Sequence, residues 1–240
     1  MKQKQVMLNG ENNMLKIHSI FESISGETGI FEQGSWCTFI RLQGCNHNCD
    51  YCDIPEAQTF NNKYHNMEIS SILKNCHTEK VIITGGEPLL QDDVKSLLTE
   101  LRNSNHKVQI ETNGSIFPLP LPYLNELTWV VDIKTPCAGE ANKQTLDPQI
   151  FAYNFIHTVT PIYFKFVINS KDDILFSIPY IKELMKIDHY NEMRFAFSPL
   201  FTPEGEVNYN LFRNVIHILD NRMLDKTICS LQIHKLIDFD

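Results

Sequence analysis

Apolar residues recur along this chain in short runs of strand character, separated by stretches with a helical period. Residues 15–20, 36–42, 80–84, 107–111, 128–132, 163–168, 193–197 and 228–233 read as strands. Residues 68–74, 91–103, 172–186 and 209–221 repeat their apolar positions as helices with one buried stripe. Pro88 is placed to open the helix that follows it. Strand–helix alternation over most of the length implies a parallel sheet with crossover helices. Helices are fewer than strands, and several connections, such as 115–127, look like loops. The expected fold is therefore α/β, an abbreviated, partly open parallel (β/α) barrel. No internal repeat, linker or low-complexity segment interrupts it, so residues 14–240 are expected to form one domain behind a polar extension, 1–13.

In parallel α/β folds, ligands collect where strands end and the following loops begin. Five strand ends here carry residues with chemistry. A cysteine-bearing loop follows 36–42, Gly85-Gly86-Glu87 follows 80–84, and Thr112-Asn113-Gly114 follows 107–111. Asp132-Ile133-Lys134 ends another strand, and Ser198-Pro199 follows 193–197. The pattern predicts that all five meet at one mouth.

Charge narrows the partners. A formal net charge of −8 argues against binding a phosphate backbone, which needs a basic face. No apolar stretch is long enough to span a bilayer, and the polar start is unlike a secretory signal. Seven cysteines, three of them clustered at metal spacing, suit a reducing cytoplasm better than a disulfide framework. Cys37 and Cys229 lie in apolar runs and are expected to be buried as small hydrophobes. Cys76 and Cys137 have no partner at ligand spacing and are assigned no chemistry.

Cys45-Asn46-His47-Asn48-Cys49-Asp50-Tyr51-Cys52 is a C-x-x-x-C-x-x-C run preceded by Gly44. Three thiolates so close can hold three irons of a [4Fe–4S] cube, and no fourth cysteine follows to close it. The uncapped iron is then free to bind a small molecule. Zinc is the competing metal, with His47 as the candidate fourth ligand. Between two cysteines His47 is too cramped to join them around one tetrahedral ion, so it is expected at the loop surface. Tyr51 is placed either to stack beside an adenine or to pack.

With Gly85-Gly86-Glu87-Pro88 downstream, the cysteine run resembles the radical S-adenosylmethionine (SAM) superfamily, and the expected barrel is of that type. The resemblance implies that the SAM amino and carboxylate groups chelate the open iron. One electron then cleaves the sulfonium to a 5′-deoxyadenosyl radical, chemistry that belongs to the cofactor. Two glycines let backbone approach a ligand closely.

Family-level motifs flank this pair. Phe21-Glu22-Ser23-Ile24-Ser25-Gly26-Glu27 resembles the F-x-x-x-Q-G-E segment of the 7-carboxy-7-deazaguanine synthases of the 7-deazapurine (queuosine) pathway. Phe39-Ile40-Arg41-Leu42-Gln43-Gly44-Cys45 is similar to that family's F-x-R-x-x-G-C, and Ser230-Leu231-Gln232-Ile233-His234-Lys235 to its closing S-x-Q-x-H-K. The resemblance implies a radical SAM lyase that converts 6-carboxy-5,6,7,8-tetrahydropterin to 7-carboxy-7-deazaguanine with loss of ammonia. It implies cluster ligation by Cys45, Cys49 and Cys52. Tyr51, Cys52, Asp53, Gly85, Gly86, Glu87, Asp132, Ile133, Lys134, Ser198 and Pro199 would bind SAM. Ile24, Ser25, Gly26, Glu27, Arg41, Thr84, His234 and Asp240 would meet the substrate, with Glu27 and Arg41 catalytic. It further implies a flavodoxin or ferredoxin as reductant, a homodimer and a cytoplasmic location.

Two of these roles have their own physical logic. A guanidinium is the preferred bidentate partner of a carboxylate, and Arg41 ends a strand at the mouth. Glu27, or carbonyls near Gly26, can accept from the N–H donors of a pterin edge. The plainer readings are a strand-end surface pair for Arg41 and an exposed loop carboxylate for Glu27.

Three positions depart from the family pattern. Ser25 replaces the usual glutamine, and Thr28 stands where glycine is common. Ile54 replaces a hydroxyl residue associated with Mg²⁺, and isoleucine offers a hard cation no oxygen, so either Mg²⁺ binds through Asp53, water and substrate or this protein manages without it. Two other functions compete: an activase of glycyl-radical enzymes, and an iron–sulfur carrier or zinc-binding module. Arg41 and the His234-Lys235 tail favour a small substrate.

Overall fold

The computed structural model describes residues 14–116, 127–144, 147, 149–150, 161–188, 191–202 and 205–237. The proposed extension 1–13, Asp240 and most of the connection 115–127 lie outside these. Among the described residues nine strands form one sheet in the order β3-β1-β2-β4-β5-β6-β7-β8-β9. They are β1 (Met14–Ile24), β2 (Trp36–Leu42), β3 (His65–Glu68), β4 (Lys80–Gly85), β5 (Lys107–Thr112), β6 (Thr128–Ile133), β7 (Ile162–Ile168), β8 (Met193–Pro199) and β9 (Thr227–Cys229). From β2 to β9 every neighbouring pair is parallel. Among the described residues the sheet ends at β3 and β9 without closing, which is the abbreviated, partly open barrel expected.

The first strand departs from the parallel rule. β1 pairs antiparallel with both β2 and β3. The connection 25–35 holds no helix, and without a crossover a chain can only return antiparallel. The short polar β3 has no apolar alternation and was not predicted. The expected strand 228–233 is also corrected: β9 stops at Cys229, and Ile233 opens a helical turn, Ile233–Leu236. The Ser230 N–H still reaches back to the Phe197 carbonyl of β8 at 2.8 Å, while its buried hydroxyl accepts the Thr28 N–H at 3.1 Å. Cys229, expected to be buried, is exposed on this edge strand, whereas Cys37 is buried as expected.

The helices α1 (Ile69–Lys74), α2 (Val94–Asn103), α3 (Lys171–Ile187) and α4 (Asn210–Ile218) lie where the period placed them. Their apolar stripes, including Leu97, Leu101, Ile174, Ile181 and Val215, cover one face of the sheet. That face presents Ile40, Leu42, Val81, Ile83, Val108, Ile110, Val131, Phe164, Phe166, Phe195 and Phe197. Phe166 and Phe197 stack across β7 and β8 with centroids 5.4 Å apart. Each such side chain contributes roughly 1.5–3 kcal/mol by leaving water.

Because side chains alternate along a strand, the intervening residues turn to the other, concave face. Low in that face Phe31, Cys37 and Ile82 form a small apolar cluster with Phe39 packed on it. Higher up the residues become polar. Arg41 is level with Thr84 and Asp132 with Lys165, while the Ile83–Ile110 pairing carries Glu111 beside Thr84. Register thus gathers Arg41, Thr84, Glu111, Asp132 and Lys165 near the strand ends.

Candidate active site

The cysteine loop leaves β2 at Gln43, which is fully buried. Its amide nitrogen donates to the carbonyls of Glu56 (2.7 Å) and Thr59 (2.6 Å), and its oxygen meets His18 Nδ1 at 3.1 Å. The Gly44 and Cys45 N–H groups bond Ala57 and Gln58 carbonyls, each at 2.7 Å. The loop is therefore closed on itself, and the turn between Cys45 and Cys49 folds inward. His47, expected at the surface, is accordingly buried.

Cys45, Cys49 and Cys52 are half-buried on this loop. Burial raises the Cys45 thiol and lifts that of Cys49 to about 11, while the ammonium of Lys134 opposes both shifts. A soft metal would displace these protons on binding. The Asn113 amide lies 3.8 Å from Cys45 Sγ, and the His47 N–H points at the same sulfur from 3.4 Å. Three thiols, N–H donors on sulfur and a nearby ammonium fit an iron–sulfur cube.

Gly85 and Gly86 seat the end of β4 against this loop. A Cβ on Gly86 would come within 2.2 Å of the Gly44 carbonyl oxygen and 2.8 Å of that of Ala57. The close approach these glycines permit is thus to the cluster loop itself. Glu87 is fully buried. Its carboxylate accepts from the Leu89 N–H (2.9 Å), the Thr112 hydroxyl (2.8 Å) and the Asn113 N–H (2.7 Å). Burial still pushes its carboxyl upward. Glu87 ties the β4 and β5 ends together and so holds Asn113 against Cys45.

On the next strand, Lys134 Nζ lies 3.0 Å from Asp132 Oδ2 and 5.6 Å above the Tyr51 ring. Burial disfavours its charge, but Asp132 and the cysteines hold the ammonium above its ordinary value. The same burial pushes the Tyr51 hydroxyl well up. Ile133 turns its side chain into the core, and Ser198 and Pro199 are buried at the end of β8. The turn after β6 braces the cluster loop: the Asp50 N–H bonds the Ala138 carbonyl at 3.4 Å, and Gly139 (φ +67°) leaves room for the Asp50 carboxylate. Asp173, buried in the capping box of α3, accepts the Cys137 N–H at 2.9 Å and fixes that turn.

The opposite rim joins the two ends of the chain. The Ile233 N–H bonds the Gly26 carbonyl at 3.0 Å, and a Cβ on Gly26 would reach 1.8 Å from His234 Nδ1. Gln33 donates to the Leu231 carbonyl at 2.9 Å, Gln232 donates to Glu27, and Lys235 Nζ lies 3.0 Å from Asp53 Oδ2. Ser25 is buried beside Gly26, and Ile24 ends β1 opposite Trp36. Burial lowers the His234 pKa, leaving a neutral imidazole at pH 7. Arg41 is half-buried, with its guanidinium 5.5 Å from the Phe21 ring centroid. Burial pulls its pKa down while Asp53 and Glu111 support the charge.

Several residues at this mouth escaped the sequence reading. Lys165 pairs with Glu27 and lies 3.9 Å from Asp132 Oδ2. Glu111, lifted to about 7 by burial and by Glu27, accepts from Gln109 at 3.2 Å. Gln109 also accepts the Ile30 N–H, docking the loop that carries Glu27. The available signal was a charged residue at an alternate position inside an apolar run, as in Phe164-Lys165-Phe166.

The Radical SAM superfamily pattern matches residues 39–132. The 7-carboxy-7-deazaguanine synthase of Clostridium acetobutylicum is 35% identical over 237 residues, covering 92% of this chain and 95% of the relative. That of Methanospirillum hungatei is 31% identical over 233 residues, covering 95% and 87%. In fold, the crystal structure of QueE from Escherichia coli superposes with a TM-score of 0.65 at 19% identity, covering 92% of this chain and 98% of that one. Streptococcus suis SuiB bound to S-adenosylmethionine gives 0.54 at 18%, covering 79% and 48%. No helix among the described residues is long and apolar enough to cross a membrane.

Proposed function

The chain belongs to the 7-carboxy-7-deazaguanine synthase family of radical SAM enzymes, and from that premise we propose how its residues serve the reaction. The substrate is 6-carboxy-5,6,7,8-tetrahydropterin and the product 7-carboxy-7-deazaguanine, with loss of ammonia. The observation that carries this reading is the closure of the mouth by Gln232 on Glu27 and Lys235 on Asp53. Those two contacts bring the N-terminal loop, the cluster loop and the C-terminal segment around one opening.

Cys45, Cys49 and Cys52 would hold the [4Fe–4S] cluster, with Asn113 and the His47 N–H supporting the Cys45 sulfur. When bound, the cluster and SAM supply the carbon-radical chemistry that opens the reaction. Tyr51, Lys134, Asp132, Gly86 and Ser198 would line the SAM side. Arg41 would take the substrate carboxylate on its planar fork. Glu27, ionised by Lys165, would accept the N–H donors of the pterin edge. Loss of ammonia requires a proton at the departing nitrogen. Glu111, at about 7, can give or take one near neutral pH.

Mg²⁺ fits these residues poorly. Ile54 offers no oxygen, and the nearest carboxylate, Asp53, already pairs with Lys235. No step is therefore assigned to Mg²⁺. We further propose a single domain over residues 14–240, a homodimer, a cytoplasmic location, and a flavodoxin or ferredoxin as electron donor.

The test is anaerobic reconstitution with iron, sulfide, SAM, reductant and the carboxytetrahydropterin, followed by product mass. A new species lighter by ammonia supports the reading. SAM cleavage with the pterin recovered unchanged would refute it.

A further inference from the structure

Phe164 and Phe166 bury their rings in the core, so Lys165 between them must emerge on the concave face. Its side chain is 12% exposed. There it pairs with Glu27 Oε2, while Gln232 donates to Glu27 Oε1, and its ammonium lies 3.9 Å from Asp132 Oδ2. A single ammonium thus spans two carboxylates: Glu27 on the substrate rim, and Asp132, which holds Lys134 beside Tyr51. Burying a lysine inside an apolar strand costs stability unless the charge is paired. Nothing in the core packing calls for one at this position.

We propose that Lys165 is a positioning residue for substrate recognition, acting through Glu27: it keeps that carboxylate ionised and aimed, so that Glu27 accepts N–H donors from the pterin edge. The inference rests on the substrate reading given above. Its physical basis is the set of groups facing Glu27. Lys165 comes from β7, Gln232 and His234 from the C-terminal segment, Asp53 from the cluster loop and Glu111 from β5, while Asp132 on β6 faces the lysine. Burial and the Asp53 charge push the Glu27 carboxyl up, and the Lys165 charge and hydrogen bond, with the Gln232 hydrogen bond, bring it below its ordinary value. A protonated Glu27 would turn a donor toward the donors of the substrate. Gln232 fixes one oxygen but carries no charge, so it cannot replace the ammonium.

The sign of the effect follows. In the wild type Glu27 titrates below the ordinary carboxylate range, so the acid limb of activity assigned to it lies at low pH. In Lys165→Met, burial and the neighbouring anions act unopposed, and that limb moves to higher pH. The substrate KM should rise on the order of a hundredfold, as for loss of a buried charge partner. Lys165→Arg should recover most of the loss, since the charge returns.

The deciding comparison is a cycle of wild type, Lys165→Met, Glu27→Gln and the double variant. Because Lys165 acts through Glu27, its removal in the Glu27→Gln background should change KM by less than about threefold. If Lys165→Met alone fails to fold, the double variant, which leaves no unpaired buried carboxylate, still answers the question. A KM penalty equal in both backgrounds would overturn the proposal. A carboxyl NMR titration of Glu27 in cluster-free wild type and Lys165→Arg separates this idea from the substrate reading. A Glu27 midpoint below the ordinary range in both variants supports the lysine's role whatever the substrate. A midpoint at or above that range in the wild type removes the role. A wild type that leaves the pterin untouched would sink the substrate reading alone.

Discussion

Lys235 Nζ and Asp53 Oδ2 lie 3.0 Å apart, joining the closing motif of the chain to the residue after the last cluster cysteine. The pair is partly solvated, with side chains 29% and 56% exposed. Its value is therefore geometric more than energetic, since exposed ion pairs contribute about 0–1 kcal/mol. It draws the C-terminal segment, with Gln232 and His234, over the mouth.

That pairing sets an expectation for divalent cations. Activity should depend little on Mg²⁺, because Ile54 supplies no oxygen and Lys235 already neutralises Asp53. Ile54→Thr should introduce a saturable Mg²⁺ response. Lys235→Ala should raise the substrate KM while moving the Tm by only a few degrees. Identical, saturable Mg²⁺ curves for wild type and Ile54→Thr would show that position 54 does not govern the ion.

Iron content discriminates among the cysteines. Reconstituted wild type should carry about four irons per chain. Cys45→Ala, Cys49→Ala or Cys52→Ala should abolish the cluster, whereas Cys76→Ala, Cys137→Ala and Cys229→Ala should keep it. Loss of iron in Cys76→Ala alone would contradict the three-thiolate site.

Gly86→Ala should be more damaging than its single methyl suggests. The Cβ would meet the Gly44 and Ala57 carbonyl oxygens, both backbone, so neither contact can relax by a rotamer change. Overpacking of this kind costs typically about 1–3 kcal/mol. The cluster loop should shift, lowering both Tm and iron incorporation. Normal values for both would mean that the loop is not seated on this glycine.

The Glu111 carboxyl, raised from its ordinary value of 4.5 to about 7, predicts a pH-dependent stability. Its folded pKa lies above its unfolded one, so the native state binds the proton more tightly. The group therefore costs no stability below pH 4.5, loses stability as pH rises from there to about 7, and carries its full cost above. Glu111→Gln should raise the denaturation midpoint at pH 8 relative to wild type and leave it unchanged at pH 4. Equal shifts at both pH values would exclude titration of Glu111 as the cause.

Much of the architecture was legible before any coordinates, because it follows from local rules. Period-two and period-3.6 patterns marked β1, β2, the strands from β4 to β8 and the four longer helices. The cysteine spacing, confined to one loop, required no tertiary information. His47 and Cys229 went wrong because burial depends on how a loop closes and which strand lies at the edge. The polar β3 carried no pattern at all.

What the sequence alone determined, then, is which segments become strands or helices and which thiols share a loop, since both depend on neighbours a few residues apart. Only the tertiary structure decided that β1 runs antiparallel and that one register gathers Arg41, Thr84, Glu111 and Lys165. It also decided that Glu27 meets Lys165 across 138 positions and Gln232 across 205. Such pairings arise when strand order and register bring distant alternate residues to the same level of the concave face, and no local propensity encodes that order.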